Sequence, residues 1–247
     1  MTGTKITTPA ISMKRARHWL AMIVLPAVWF TLPGLGLVGL DMSASQQAVP
    51  AANPAYTLSE LAKRVDQHYD RLHSLSVHFT ETYRGMGMQR VESGILLLEK
   101  PGRMRWNYTD PPGKVFVIGG RYGYSYTPGD AQAERYPAKQ LEDFRSPLRF
   151  LLGHTRIEKE LTNLTLTPNG AKYQLRGVPK GMEQRVAEVD LTVTAEGKIE
   201  TIQWREVDGA ITSFRLTDEQ PNPPLTPGTF SFDPPAGVVI VNGLAPM

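Results

Sequence analysis

The residues that could carry out catalysis are few, and their spacing does not suit it. His68, His73 and His78 recur five residues apart, an interval that suits neither one face of a helix nor a pair of strands, and no H-E-x-x-H motif is present. Ser125, within G-Y-S-Y-T, lacks the closing glycine of a nucleophile elbow and falls in an alternating segment rather than before a helix. The sequence therefore predicts no active site and no metal site, and we expect a protein that is not an enzyme.

Other motifs that could hold a cofactor are also missing. Gly119-Gly120 is interpreted as a hairpin turn, since no glycine-rich phosphate loop surrounds it. Glu142-Asp143 lies in a polar stretch where solvated carboxylates are ordinary. The chain has no cysteine, which excludes disulfides, thiolate chemistry and acylation of a cysteine of its own. We expect no cofactor.

The basic character of the chain comes from its first segment. The pI is about 9.1, but residues 1–45 hold four of the 27 basic side chains and one of the 24 acidic ones. The remaining residues carry 23 of each sign, so the electrostatic footprint of a nucleic-acid-binding protein is missing.

Residues 1–45 have the form of an export signal. A basic cluster at 14–18 precedes an apolar run from Trp19 to Leu40 and then the small residues 43–45. Cleavage near Ser45 is the favoured interpretation, with an uncleaved anchor as the alternative. We predict an exported protein in which 46–56 is a linker and 57–247 forms one domain.

One helix followed by many strands is predicted for that domain. Thr57 and Glu60 have capping-box spacing ahead of apolar residues at helical intervals to Leu72. Turn signals every eight to twelve residues then favour a sandwich or an up-and-down barrel. The predicted strands are 75–83, 91–99, 103–108, 114–118, 122–126, 132–136, 161–167, 172–177, 186–194, 198–206, 211–216 and 229–232. The Pro-initiated apolar segment 146–153 predicts a short helix lying across the sheet.

An apolar face on this sheet is the most informative feature of the sequence. In 103–108 the side chains of Met104 and Trp106 point to one face and those of Arg103 and Arg105 to the other. With so few helices to cover it, such a face encloses either a packed interior or a ligand cavity, and the residues alone leave both open. The candidate lining residues share apolar side chains in strands or in the segment 146–153; they are Val77, Phe79, Leu97, Met104, Trp106, Phe116, Ile118, Leu148, Leu151 and Trp204.

Several motifs, in the same order, resemble those of the periplasmic lipoprotein carrier family LolA. The resemblance extends over most of the mature chain, from about Tyr56 to Val241. Its most specific motifs are S-L-S-V-H-F-T-E at 74–81, G-I-L-L-L-E-K-P-G-R-M-R-W-N-Y at 94–108 followed by Asp110-Pro111, Gly120 with Y-G-Y-S-Y at 122–126, S-P-L-R-F-L-L-G at 146–153 and F-S-F-D-P-P-A-G-V at 230–238.

The resemblance implies an incomplete antiparallel β-barrel of about 11–12 strands, mainly β and lidded by short α-helices. Its hydrophobic cavity would take lipoprotein acyl chains at the inner membrane and deliver them to the outer membrane. Met104, Trp106 and Phe116 would line the cavity, and 147–152 would form part of the lid. Lys100 stands where many members carry a basic lid or gate residue before the proline. That residue is commonly arginine, whose guanidinium is a planar fork of hydrogen-bond donors, whereas the ammonium group of lysine is a point charge.

The resemblance also implies partners. These are acylated lipoproteins as cargo, an ABC-type lipoprotein-releasing transporter in the inner membrane and a lipoprotein acceptor at the outer membrane, with the carrier itself a monomer. Three alternatives stay open at this point: a related module that binds another lipid or glycolipid or senses lipoproteins, an esterase acting through Ser125, and a structural envelope protein with a filled interior.

Overall fold

The computed structural model describes residues 56–138, 150–151 and 156–243. This part of the chain contains helices α1 (Leu58–Asp70) and α2 (Ile157–Glu160). Its strands are β1 (Ser74–Gly85), β2 (Met88–Glu99), β3 (Arg103–Asp110), β4 (Val115–Ile118), β5 (Tyr122–Tyr126), β6 (Gln132–Pro137), β7 (Leu161–Asn169), β8 (Lys172–Pro179), β9 (Val186–Val193), β10 (Ile199–Glu206), β11 (Ile211–Pro221) and β12 (Val239–Asn242).

The strands form one sheet in the order β12-β6-β5-β4-β3-β2-β1-β11-β10-β9-β8-β7. Strands β1 to β6 make one antiparallel meander and β7 to β11 a second, and the two join where β1 pairs with β11. The sheet does not close on itself, because β7 and β12 lie at its two edges. The prediction of an open, mainly β fold with about 11–12 strands is confirmed, with one departure: β12 pairs with β6 in parallel.

Helix α1 begins where the sequence predicts it. The Glu60 carboxylate accepts a hydrogen bond from the Thr57 backbone N at 2.8 Å, and the Thr57 hydroxyl accepts one from the Glu60 backbone N at 3.3 Å. This capping box satisfies amides that the first turn leaves without helical partners. Leu61, Ala62 and Val65 of the apolar side are buried in one continuous cluster with residues of the sheet.

The predicted strand at 229–232 is wrong. Phe230 and Phe232 alternate with polar residues as in a strand, but this segment lies across the face of the sheet opposite α1. The guanidinium of Arg105 donates hydrogen bonds to backbone carbonyls of this segment, with 2.8 Å between Nη1 and the Ser231 oxygen. In a strand these carbonyls would instead bond to a neighbouring strand. The last strand is instead β12, seven residues further on.

Some predicted segments lie wholly or mostly outside the described residues. The export segment 1–45 and the linker up to residue 55 lie outside them, and of the predicted helix 146–153 only Phe150 and Leu151 are described. Both side chains are buried in the same cluster as α1. No helix among the described residues is both long and apolar enough to cross a membrane.

Candidate ligand-binding site

The candidate site is the face of the sheet that packs against α1, called the inner face below. Strand register defines it: Leu96 lies opposite Val77 on β1 and opposite Trp106 on β3, while Leu98 lies opposite Met104. On β4, Phe116 lies opposite Trp106 and Ile118 lies opposite Met104. Directly opposed residues share a face, so these apolar side chains form one wall.

Most of the predicted lining residues are on the inner face. Buried residues of the cluster that includes α1 are Val77, Phe79, Met104, Trp106, Ile118 and Leu151. Phe116 and Trp204 are half-buried and pack against the same cluster. Leu148 lies outside the described residues. The structure therefore gathers seven of the ten predicted residues along one wall, with Leu151 in the cluster that covers it.

The predicted orientation of Leu97 is wrong. Leu96 and Leu98 are buried on the inner face, so the alternation of β2 turns Leu97 to the outer face. There Leu97 lines a cleft of about 680 Å³, together with Arg105 and Phe232 of the segment that crosses the outer face. The run Leu96-Leu97-Leu98 is apolar on both faces, and this absence of alternation explains the error.

Aromatic rings are concentrated in one part of the inner face, around Phe79. The ring centroid of Phe79 is 4.6 Å from that of Trp106 and 5.2 Å from that of Tyr108, both edge to face. Phe214 of β11 lies 5.2 Å from Trp106 and stacks on Trp204 at 5.4 Å. The cluster spans β10, β11, β1 and β3, so it joins the two meanders.

Exposure of the inner face increases from α1 towards these rings. Leu75, Val77 and Leu96 are fully buried, whereas Tyr108 and Trp204 are half-buried. Beyond them lies the rim formed by the β1–β2 and β10–β11 hairpins, called the hairpin rim below. The inner face is therefore accessible next to the hairpin rim.

A charged cluster, missed by the sequence analysis, borders the aromatic rings on the inner face. Glu81 and Glu92 are direct cross-strand partners, and Lys114 Nζ lies 2.6 Å from the Glu92 carboxylate and 4.4 Å from the Tyr108 ring centroid. Arg90 lies 3.7 Å from Glu81. Burial, and then the neighbouring Glu92, raise the pKa of Glu81, and burial also raises that of Tyr108. The sequence feature that could have predicted this cluster is the presence of acidic residues at inner-face positions of two neighbouring strands.

Lys100, the predicted gate residue, contacts the end of α1. Its Nζ donates hydrogen bonds to the backbone oxygens of Tyr69 at 2.7 Å and Asp70 at 3.1 Å. These carbonyls belong to the last turn, where helices have no internal donors and where the helix dipole favours a cation. Partial burial lowers the pKa of Lys100.

A second set of polar contacts holds α1 to the sheet. The Tyr69 hydroxyl donates to Glu219 at 3.2 Å and accepts from the Ile199 backbone N at 3.0 Å. His68 Nε2 lies 2.7 Å from the other Glu219 oxygen. The helix that covers the inner face is thus fixed by a few directed contacts besides its apolar packing.

The described residues include no group of three or more His, Asp or Glu side chains arranged to hold a metal ion. What this part of the structure offers is an apolar wall, a helix covering it, and an accessible aromatic end with charges beside it. Such a surface can bind an apolar ligand with a polar end.

Comparison with known proteins gives a family model and several similar sequences. The family model "Outer membrane lipoprotein carrier protein LolA" matches residues 70–233. An outer-membrane lipoprotein carrier protein of Nitrosomonas europaea is 24% identical over 190 residues, which cover 76% of this chain and 92% of that protein. The Proteus mirabilis protein of the same name is 27% identical over 179 residues, 71% of this chain and 85% of that protein. A solved LolA superfamily structure from Nitrosomonas europaea aligns with a TM-score of 0.39 and 11% identity, over 72% of this chain and 99% of that chain.

Proposed function

The chain belongs to the outer membrane lipoprotein carrier family LolA, and from this premise we propose that it is a periplasmic carrier that binds lipoprotein acyl chains against its inner face and shuttles them from the inner to the outer membrane. The observation that supports the proposal most is the continuous apolar wall of β1 to β4 and β9 to β11, covered by α1 and accessible beside the hairpin rim. An acyl chain would pack against this wall, with the charged cluster next to the polar end of the cargo.

Reversible binding requires that the wall be covered when no cargo is present. Burial of one methylene contributes about 0.8 kcal/mol, so a fully buried sixteen-carbon chain contributes roughly 12 kcal/mol and three such chains on the order of 35. That sum exceeds the practical limit of about 20 kcal/mol for non-covalent binding. Here α1, Phe150 and Leu151 already bury the wall, so cargo has to displace them and the net affinity falls.

Loading and release then depend on membrane partners. We assign the work of displacing α1 to an ABC-type transporter of the inner membrane, and release to an outer-membrane acceptor with higher affinity for the same acyl chains. The carrier itself would act as a monomer, without nucleotide and without catalysis. The contacts of Lys100 with the α1 carbonyls make it the proposed latch of the closed form.

Two matched substitutions test the site. Phe116 and Leu97 are both half-buried apolar residues on neighbouring parts of the sheet, but they lie on opposite faces. We expect Phe116→Glu to lower the amount of lipoprotein that copurifies with the protein from the periplasm at least tenfold. The reason is that a carboxylate on the inner face is costly to bury against an acyl chain. Leu97→Glu should retain cargo as the unmodified protein does.

Mass spectrometry of the copurified material decides the outcome, with circular dichroism to verify that both variants are folded. Equal retention by the two variants would show that the inner face is not the cargo site. Lipids or glycolipids in place of acylated lipoproteins would contradict the carrier assignment and favour a related lipid-binding module.

A further inference from the structure

The β1–β2 hairpin ends in an exposed apolar tip. Met86 is 81% exposed and Met88 60%, and Val207 on the neighbouring β10–β11 hairpin is 59% exposed. The two hairpins are in contact, since a Cβ added at Gly85 would lie 2.8 Å from the Cβ of Ala210. Met86, Met88 and Val207 together are called the apolar tip. They lie on the hairpin rim, next to the accessible end of the inner face.

The tip has an unfavourable backbone conformation as well as unfavourable exposure. Met86 has φ of 50°, a left-handed conformation that side chains with a Cβ rarely adopt and that glycine adopts without penalty. Gly87, the next turn residue, also has positive φ. A methionine at this position gains no packing in the fold, so its side chain is explained by contact with something outside it.

Charges on the same hairpin indicate the chemistry of that contact. From Tyr83 to Val91 the sequence contains Arg84 and Arg90 and no acidic residue. Both arginines are exposed, Arg84 on the outer face of the hairpin and Arg90 on the inner face, where it also lies 3.7 Å from Glu81. Glu206 and Asp208 flank Val207, so the basic side of the tip is the β1–β2 hairpin alone. Arginine side chains beside an apolar tip can reach lipid phosphates while the tip enters the acyl region.

We propose that the apolar tip inserts into the surface of a membrane containing anionic phospholipids. Three side chains offer far less than the roughly 800 Å² per partner that a stable protein interface buries, whereas a bilayer accepts a small tip at any position. The membrane contact goes beyond the carrier function, because it concerns the lipid bilayer and not the cargo. It would orient the accessible end of the inner face towards the membrane.

The absence of cysteine allows a site-specific test on the full chain. Met88→Cys is labelled with the fluorophore NBD and mixed with vesicles of phosphatidylcholine, with or without phosphatidylglycerol and without any lipoprotein. With the anionic vesicles we expect the NBD emission to shift to the blue. We also expect the emission to be quenched by lipids that carry a doxyl group in the acyl chain. The matched control is Asn169→Cys on the exposed β7–β8 hairpin, where neither change should occur.

Two further variants separate membrane contact from a structural role. Met86→Gly relieves the backbone strain, so it should preserve or raise thermal stability while it weakens vesicle binding of the labelled protein at least tenfold. Arg84→Gln should weaken binding about fivefold and reduce the preference for anionic vesicles.

Three outcomes would overturn the proposal: no shift at position 88 with either vesicle, an equal shift at position 169, or unchanged binding by Met86→Gly. Photo-crosslinking of position 88 to a membrane protein without any vesicle signal would replace it with a protein contact. Because cargo is absent, none of these outcomes bears on the carrier function.

Discussion

At the scale of single residues, Lys100 links the β2–β3 turn to the helix that covers the inner face. An ammonium group donating to two carbonyls of the last helical turn stabilises the covered form directly. The contact is local and polar, so it can be broken without disturbing the apolar wall. This is the property expected of a latch.

Substitution of Lys100 tests the latch. Lys100→Met keeps much of the apolar stem but leaves the Tyr69 and Asp70 carbonyls without the ammonium donor. We expect the free energy of unfolding to fall by about 1–2 kcal/mol, measured by urea denaturation, and exchange of the α1 amides to accelerate. Lys172→Met, which removes a surface pair with Glu200, should change stability by less than about 1 kcal/mol. Equal effects of the two substitutions would exclude a special role for Lys100.

Asp66, on α1, gives the stability of the domain a dependence on pH. Burial raises its pKa from 3.8 to about 6, although its carboxylate accepts a hydrogen bond from the Ile157 backbone N at 3.1 Å. The raised pKa means that Asp66 favours the folded state fully below about pH 4. That contribution is lost as the pH rises through about 6.

We expect Asp66→Asn to be more stable than the unmodified protein at neutral pH. The difference in the free energy of unfolding should grow from about pH 4 to about pH 6 and stay constant above it, because the asparagine does not ionise. Urea denaturation at several pH values measures this. A difference that does not vary with pH would show that Asp66 has an ordinary pKa.

The face of the sheet on which a single side chain lies could be predicted from the sequence where polar and apolar residues alternate strictly along the strand. Met104 and Trp106 alternate with Arg103 and Arg105, and the structure has them on the inner face. Leu97 could not be assigned, because both faces of β2 are apolar at that point. The contact of Lys100 with α1 joins residues 30 positions apart, and no local pattern encodes such a contact.

At the scale of elements, the position of α1 depends on a close approach to the β9–β10 turn. A Cβ added at Gly197 would lie 2.5 Å from the backbone carbonyl of Arg64, in the middle of α1. Only glycine allows the helix to lie this close to the turn. A larger residue at position 197 would therefore force α1 away from this turn.

Gly197→Ala should displace α1 while leaving the sheet intact. Gly209→Ala is the matched control, since both glycines have φ near +90° but no atom lies within 4 Å of a Cβ at Gly209. We expect faster amide exchange in α1 for Gly197→Ala alone and a loss of about 2 kcal/mol or more relative to the control. The same exchange pattern in both variants would mean that backbone strain, and not the contact, is responsible.

Element prediction succeeded where local chemistry decides the structure. The Thr57 and Glu60 capping box and the hairpin turns are encoded within a few residues. It failed at 229–232, where an alternating pattern covers the outer face of the sheet instead of joining it. In its observed position the segment binds Arg105, which is distant in the sequence.

At the scale of the whole molecule, the described structure is a covered form of an open sheet. Its apolar wall is continuous across both meanders and is buried by α1, Phe150 and Leu151. In this form, cargo bound as we propose would have to compete with the chain's own side chains for the wall. The charges of residues 46–247 balance, so the fold itself presents no strong net field to its partners.

The arrangement of two meanders has a consequence for the way the chain acquires its structure. Within each meander every strand pairs with its neighbour in sequence, so these contacts form early and rapidly. Only the pairing of β1 with β11 brings distant residues together in the middle of the sheet, and Phe79 and Phe214 meet there. The centre of the sheet is therefore complete only when this seam forms, and until then the apolar face of each meander is left uncovered and prone to aggregation.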